Sequence, residues 1–135
     1  MKLIVNNIRW IMLVSGVLTF TAIIGLFSPE LILNSMFGES FAGELSDVIV
    51  RSWSALVALV GAMLIYAANR PIYRSFVLTV AGLGKIIFVS LLVLAGGQIL
   101  QGALVAVAMD SLTVLLFALY LLSSEGVIKL FNNNK

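Results

Sequence analysis

Long uncharged stretches, separated by short charged segments, dominate the pattern of hydrophobic and polar positions along the chain. Residues 10–29 carry no charge, and neither do residues 52–69. A helix rises about 1.5 Å per residue, so about 20 residues cross a hydrocarbon core of roughly 30 Å. The pattern therefore predicts four transmembrane helices. They are expected at about residues 8–27, 48–68, 76–95 and 103–122.

The connections between these helices differ in length and composition. Residues 96–102 hold three glycines and two glutamines, which predicts a tight interfacial turn. In the longer connection, residues 28–47, Ser28 and Pro29 are typical of a helix start and Gly38 of a helix stop. We expect a short amphipathic helix on the outer surface here. The alternative is a continuation of the first helix, kinked at Pro29.

The first hydrophobic stretch also permits a second interpretation, a cleaved signal peptide with Lys2 and Arg9 as its basic region. The apolar run is long for such a peptide, and no A-x-A site follows it. A retained membrane helix is the preferred interpretation.

Charged residues in the connections are segregated by sign, which predicts the orientation of the chain. Basic residues mark cytoplasmic segments of membrane proteins, so both termini are expected in the cytoplasm. The basic set is Lys2, Arg9, Arg70, Arg74, Lys129 and Lys135. The acidic set of the opposite side is Glu30, Glu39, Glu44 and Asp47. An aromatic belt at the inner interface is expected from Trp10, Tyr66, Tyr73 and Tyr120.

Composition sharpens this prediction and excludes several chemistries. The 135 residues are 61% hydrophobic and 10% charged, with a mean hydropathy of +1.16. A soluble domain usually holds about 25% charged residues, so we expect a single all-α integral membrane domain, a four-helix transmembrane bundle. The chain has neither histidine nor cysteine, which removes the commonest ligands of haem, zinc and copper and removes thiol chemistry. No cofactor, metal site or nucleic-acid partner is predicted.

Three charges fall inside the predicted spans. Insertion scales put the cost of a charge at a helix centre near 2.5–3.5 kcal/mol, roughly, so such residues need an explanation. Lys85 shares a helix face with Ala81 and Gly82, and Asp110 shares one with Ala106. Small residues favour helix contacts, so both charges are expected to point into the bundle. Arg51 lies near the outer surface.

The partner of Asp110 is left open by the sequence. The third and fourth spans are antiparallel neighbours, with an axial offset between Lys85 and Asp110 of roughly 5–6 Å, which a lysine side chain can bridge. Side chains tilt toward the N-terminus of their helix, however, and this widens the gap. Arg51 is the alternative partner. The charges form a binding or proton-handling site, or they neutralise one another and fix helix register, or they meet a partner protein.

A family resemblance rests on short motifs in order along the chain. The first span ends in Leu26-Phe27-Ser28-Pro29-Glu30, the second opens with Arg51-Ser-Trp-Ser, and the third carries Gly84-Lys85. Over about residues 8–122 the chain resembles small bacterial four-span membrane proteins of the DUF4345 and DoxX-like type. The resemblance implies a four-helix protein of the bacterial inner membrane with no assigned chemistry, and it transfers no catalytic residue.

Three functional hypotheses follow. The first is an accessory subunit, with other membrane proteins or further copies of itself as partners, because small-residue faces can accept a neighbouring helix. The alternative is a small transporter or channel component that uses Lys85, Asp110 and Arg51 to bind a solute or proton. The third is an enzyme acting on a membrane lipid, with Asp110, Lys85, Glu39 or Glu44 as acid or base. No catalytic constellation supports the third, and we do not predict an enzyme.

Overall fold

A computed structural model describes residues 2–38 and 43–123, and within these ranges the chain is helical. The predictions for Glu39, Lys129 and Lys135 lie outside the described residues. A 3-10 turn, Thr21–Ile23, joins the first two helices. The helices are α1 (Lys2–Phe20), α2 (Ile24–Phe27), α3 (Pro29–Phe37), α4 (Glu44–Ala68), α5 (Pro71–Ala95), α6 (Gly97–Gly102) and α7 (Leu104–Leu121).

Four segments are long and apolar enough to cross a membrane, and they confirm the predicted all-α four-helix bundle of an integral membrane protein. They are Lys2–Phe27, Glu44–Ala68, Pro71–Ala95 and Leu104–Leu121. The first three begin four to six residues before the predicted spans. The prediction counted only the stretch that fits the hydrocarbon core, whereas charged and polar residues at the interface continue the same helices.

The four long helices pack in the order α1, α4, α5, α7. The first and last of them, α1 and α7, contact each other at one end of the bundle, where both contribute to the hydrophobic core. We call this the basic end, because Lys2, Arg9, Arg70 and Arg74 lie there. Arg9 Nε donates to Asn69 Oδ1 at 3.2 Å, and Arg74 donates to Ala68 O at 2.7 Å, which satisfies a free carbonyl at the end of α4. The opposite, acidic end carries Glu30, Glu44 and Asp47.

Helices α1 and α4 approach each other closely enough for their backbones to touch. A Cβ placed on Gly61 would lie 2.5 Å from the backbone nitrogen of Phe20 and 2.8 Å from the oxygen of Gly16. The face of α4 that makes this contact consists of small residues. Gly61 is buried with Ser54 and Ala58, while Ala62 stays partly exposed, because the helix turns by 3.6 rather than 4 residues.

Both predicted connections at the acidic end contain helix. The amphipathic helix α3 forms as predicted, with Pro29 in its first turn, Gly38 ending it at φ 69°, and one face exposed at Leu31 and Asn34. Pro29, Ile32 and Leu33 are buried, and α3 packs against α2, α4 and α6. The predicted glycine-rich turn contains the six-residue helix α6. Gly96, which precedes this helix, and Gly97, its first residue, both have a positive φ.

The aromatic residues at the basic end divide into two groups. Trp10, Tyr66 and Tyr73 face outward, as an interfacial belt requires, and the two tyrosine rings lie 5.9 Å apart. Tyr120 is 5% exposed and belongs to the core, so its assignment to the belt is wrong. It packs in the same cluster as Phe117, three residues earlier on α7, where helix periodicity turns both rings inward.

Candidate intramembrane binding site

A cavity of about 820 Å³ lies inside the half of the bundle nearer the acidic end. Helices α1, α4, α5 and α7 form its walls, and α3 lies against it from the acidic end. Its lining is predominantly aliphatic and aromatic. The volume falls within the range of about 300–1,000 Å³ that is usual for small-molecule and cofactor sites.

The inner limit of the cavity follows from where the core stops. Met12 on α1 and Phe117 on α7 belong to the sealed hydrophobic cluster at the basic end. About one turn further on, Ser15 on α1 and Thr113 on α7 already line the cavity. Helices α1 and α7 therefore pack together at the basic end and both line open space beyond it.

The cavity is not sealed on the side between α1 and α7. Leu18 and Ile24 line it from α1 and α2, and Val105 and Met109 line it from α7. All four remain at least 45% exposed, in contrast to Ala81 on α5, which is 2% exposed. An apolar molecule can thus reach the cavity from the bilayer without crossing water.

An ion pair between α5 and α7 supplies the charged groups of the cavity wall. Lys85 Nζ donates to Asp110 Oδ1, and the two side chains are 12% and 19% exposed. This is the first of the two pairings that the sequence left open. The tilt of the side chains does not prevent it, because the lysine carries four methylene groups and covers the axial offset.

The predicted third member of this charge site, Arg51, does not join the other two. Arg51 Nε pairs with Asp47 Oδ2 at 2.7 Å, and Arg51 Nη1 donates to Leu26 O at 2.5 Å and to Phe27 O at 3.5 Å. These carbonyls lie at the end of α2, where the helix breaks before Pro29 and leaves acceptors without helical partners. Arg51 thus holds the break between α2 and α3 and does not line the cavity.

The hydroxyl groups along the cavity wall fall into two kinds. Thr21, Ser35 and Thr113 each donate to a carbonyl of their own helix, at 2.6, 3.1 and 2.8 Å. Ser15 is only 7% exposed, and its Oγ has no hydrogen-bond partner among the described residues. Thr19, which is partly exposed, also lines the cavity without a hydrogen bond to another described residue.

Two further features of the wall were missed by sequence reasoning. Trp53 on α4 and Phe88 on α5 stack with ring centroids 6.0 Å apart and form an aromatic wall of the cavity. Gly84 also faces the cavity, and a Cβ there would meet nothing within 4 Å. Spacing on α5 contained the signal for Gly84, because Ala81, Gly84, Lys85 and Phe88 form one helical stripe.

Comparison of the chain with protein-family models, with curated proteins and with solved structures finds no match. The resemblance to small four-span proteins, the bacterial inner membrane as location and the prediction that the chain is not an enzyme therefore stay predictions. Within the described part of the chain, carboxylates do not gather in groups of three or more that could hold a metal ion. What the site offers is an apolar volume with one ion pair and one unpaired buried hydroxyl.

Proposed function

We propose that this integral membrane protein binds an amphipathic, lipid-like molecule in the cavity between its helices. The observation that carries the proposal is a volume of about 820 Å³ whose apolar wall contains the Lys85–Asp110 pair. Pockets of this kind bind the apolar body of a ligand by surface burial and orient it by a few polar groups. Charges inside a membrane are costly, and a site is the usual reason for keeping them.

The decisive experiment compares a filled cavity with an intact one. Gly84→Phe places a large ring in the cavity, because a side chain at this position meets no other atom within 4 Å. Leu83→Phe, one residue earlier on α5, adds a ring to a side chain that is 55% exposed and does not line the cavity. It is the matched control.

Each protein is extracted from its own membrane in a mild detergent, and the native mass is measured with everything that co-purifies. We expect one lipid-like molecule per chain with the unmodified protein and with Leu83→Phe, and none with Gly84→Phe. Equal retention by both variants, or no retained molecule in the unmodified protein, would contradict the proposal.

Transport of a solute or proton is the second candidate, favoured by the position of both charges on the cavity wall. Lys85 and Asp110 remain available for this role, whereas Arg51 is occupied by Asp47 and the carbonyls of α2. Transport would use the same cavity, so a bound molecule identified by mass also names the first solute to test.

The accessory-subunit hypothesis loses its main argument but stays a prediction. It rested on small-residue faces that can accept an external helix. Ser54, Ala58 and Gly61 are buried within the bundle, as are Ala81 and Gly82. These faces are used internally. The same native mass measurement decides the question, because a larger stoichiometric complex would support a subunit role.

A further inference from the structure

The hydrogen-bonding groups of the cavity specify the chemical class of its ligand. This inference rests on the function proposed above, which concerns only whether the cavity binds a lipid-like molecule. We infer that the ligand is an uncharged lipid with ester carbonyl groups, of which diacylglycerol is the simplest example, and that Ser15 is a specificity-determining residue.

The charge balance of the wall argues against a charged ligand. Among the described lining residues only Lys85 and Asp110 carry charge, and each neutralises the other. A carboxylate or phosphate in this cavity would add a negative charge for which the pair has no further positive charge, and burial of an uncompensated charge is costly. An uncharged polar group leaves the pair intact.

The free hydrogen-bond donors on the cavity wall favour a ligand that carries hydrogen-bond acceptors. The protons of Thr21, Ser35 and Thr113 are already given to carbonyls of their own helices. The Lys85 ammonium has three N–H groups, and one of them meets Asp110. Donors without a partner among the described residues therefore remain on the cavity wall, and ester carbonyl oxygens can accept from them. They belong to Lys85, Ser15, Thr19 and the indole of Trp53.

Ser15 marks the depth to which the polar group reaches. Its Oγ is buried, lacks a partner among the described residues and lies at the inner limit of the cavity, about one turn from Met12 of the sealed core. A buried hydroxyl without a hydrogen bond is costly, and a ligand oxygen at this point would remove the cost. The acyl chains then continue through the open side between α1 and α7.

Trp53 provides a reporter for the test, because it lines the cavity and the chain has only one other tryptophan, Trp10. The variant Trp10→Phe leaves Trp53 as the only tryptophan, at the expense of a side chain that is 64% exposed. Brominated acyl chains quench tryptophan on contact. The reporter protein is reconstituted in phosphatidylcholine nanodiscs and titrated separately with brominated diacylglycerol, brominated fatty acid and brominated phosphatidylglycerol.

We expect saturable quenching of Trp53 by brominated diacylglycerol, at contents where the two anionic lipids give only weak quenching that rises linearly. Ser15→Ala in the reporter should weaken diacylglycerol binding about fivefold, the usual effect of one lost hydrogen bond. Ser52→Ala is the matched control, since Ser52 is exposed and does not line the cavity. It should leave the affinity unchanged.

The possible failures are distinguishable. Saturable quenching by the fatty acid or by phosphatidylglycerol, with none by diacylglycerol, would overturn the inference and leave the proposed function standing. Linear quenching by all three lipids would also overturn the inference, and the native mass measurement described above then decides whether the cavity binds another lipid-like molecule. Equal affinities of Ser15→Ala and Ser52→Ala would remove Ser15 from the specificity assignment.

Discussion

The contact between α1 and α4 predicts that a single methyl group at Gly61 destabilises the bundle. In Gly61→Ala the new Cβ would lie 2.5 Å from Phe20 N and 2.8 Å from both Gly16 O and Phe20 Cα. Ordinary van der Waals contacts begin at 3.4 Å. All three atoms belong to the backbone, so no side-chain rotation relieves the overlap, and α1 must retreat by about 0.9 Å.

The expected magnitude follows from the kind of contact. Overpacking in a core costs typically about 1–3 kcal/mol, and a rigid backbone neighbour places Gly61→Ala near the upper value, about 3 kcal/mol. Gly84→Ala is the control, because its Cβ meets nothing within 4 Å and alanine favours a helix over glycine by roughly 0.5–1 kcal/mol. Both substitutions add one methyl group to a glycine. Gly61→Ala should lower the free energy of unfolding, whereas Gly84→Ala should raise it slightly.

The free energy of unfolding is measured by titrating the protein in mixed micelles with sodium dodecyl sulfate and following helix content by circular dichroism. Gly61→Ala should unfold at a clearly lower detergent fraction, and Gly84→Ala at an equal or slightly higher one. Coincident unfolding curves for the two variants would refute the close approach of α1 and α4.

Two further predictions concern the acidic end. Arg51→Met should lower the free energy of unfolding by about 1–3 kcal/mol, because the partly buried carbonyl of Leu26 loses its charged donor. Asp47→Asn should cost less than about 1 kcal/mol, since the side chains of that ion pair are 39% and 46% exposed. Equal effects in the same detergent titration would show that the carbonyl contacts are unimportant. Gly102→Ala places a Cβ 2.8 Å from Phe37 O, so α3 should loosen and its amides exchange faster with deuterium; unchanged exchange would contradict the contact between α3 and α6.

The features that the sequence predicts correctly are those that depend on one helix alone. Charge-free stretches define the four spans because the bilayer thickness sets their length, and the faces of Lys85 and Asp110 follow from helix periodicity alone. The glycine contact was missed because Gly16 and Gly61 lie 45 positions apart in the chain, and neither has a local signature that names the other.

The cavity itself could not be predicted, since it depends on how far apart the helices stand. Ser15 illustrates the difficulty: one turn closer to the basic end, Met12 is fully buried in the core, while Ser15 borders open space. The same helix face passes from packed to unpacked without any change in its periodicity. Only the position of α7 relative to α1 distinguishes the two cases.

The ion pair between α5 and α7 also bears on how the chain enters the membrane. Inserted alone, each of the two helices carries a charge that costs about 2.5–3.5 kcal/mol at a helix centre. Inserted together as a hairpin, they bring Lys85 and Asp110 into contact and neutralise both. Helices α1 and α4 form a second hairpin, held by glycine contacts instead of charge. The molecule thus consists of two helical hairpins, one held by an ion pair and the other by close backbone packing, and the cavity lies between them.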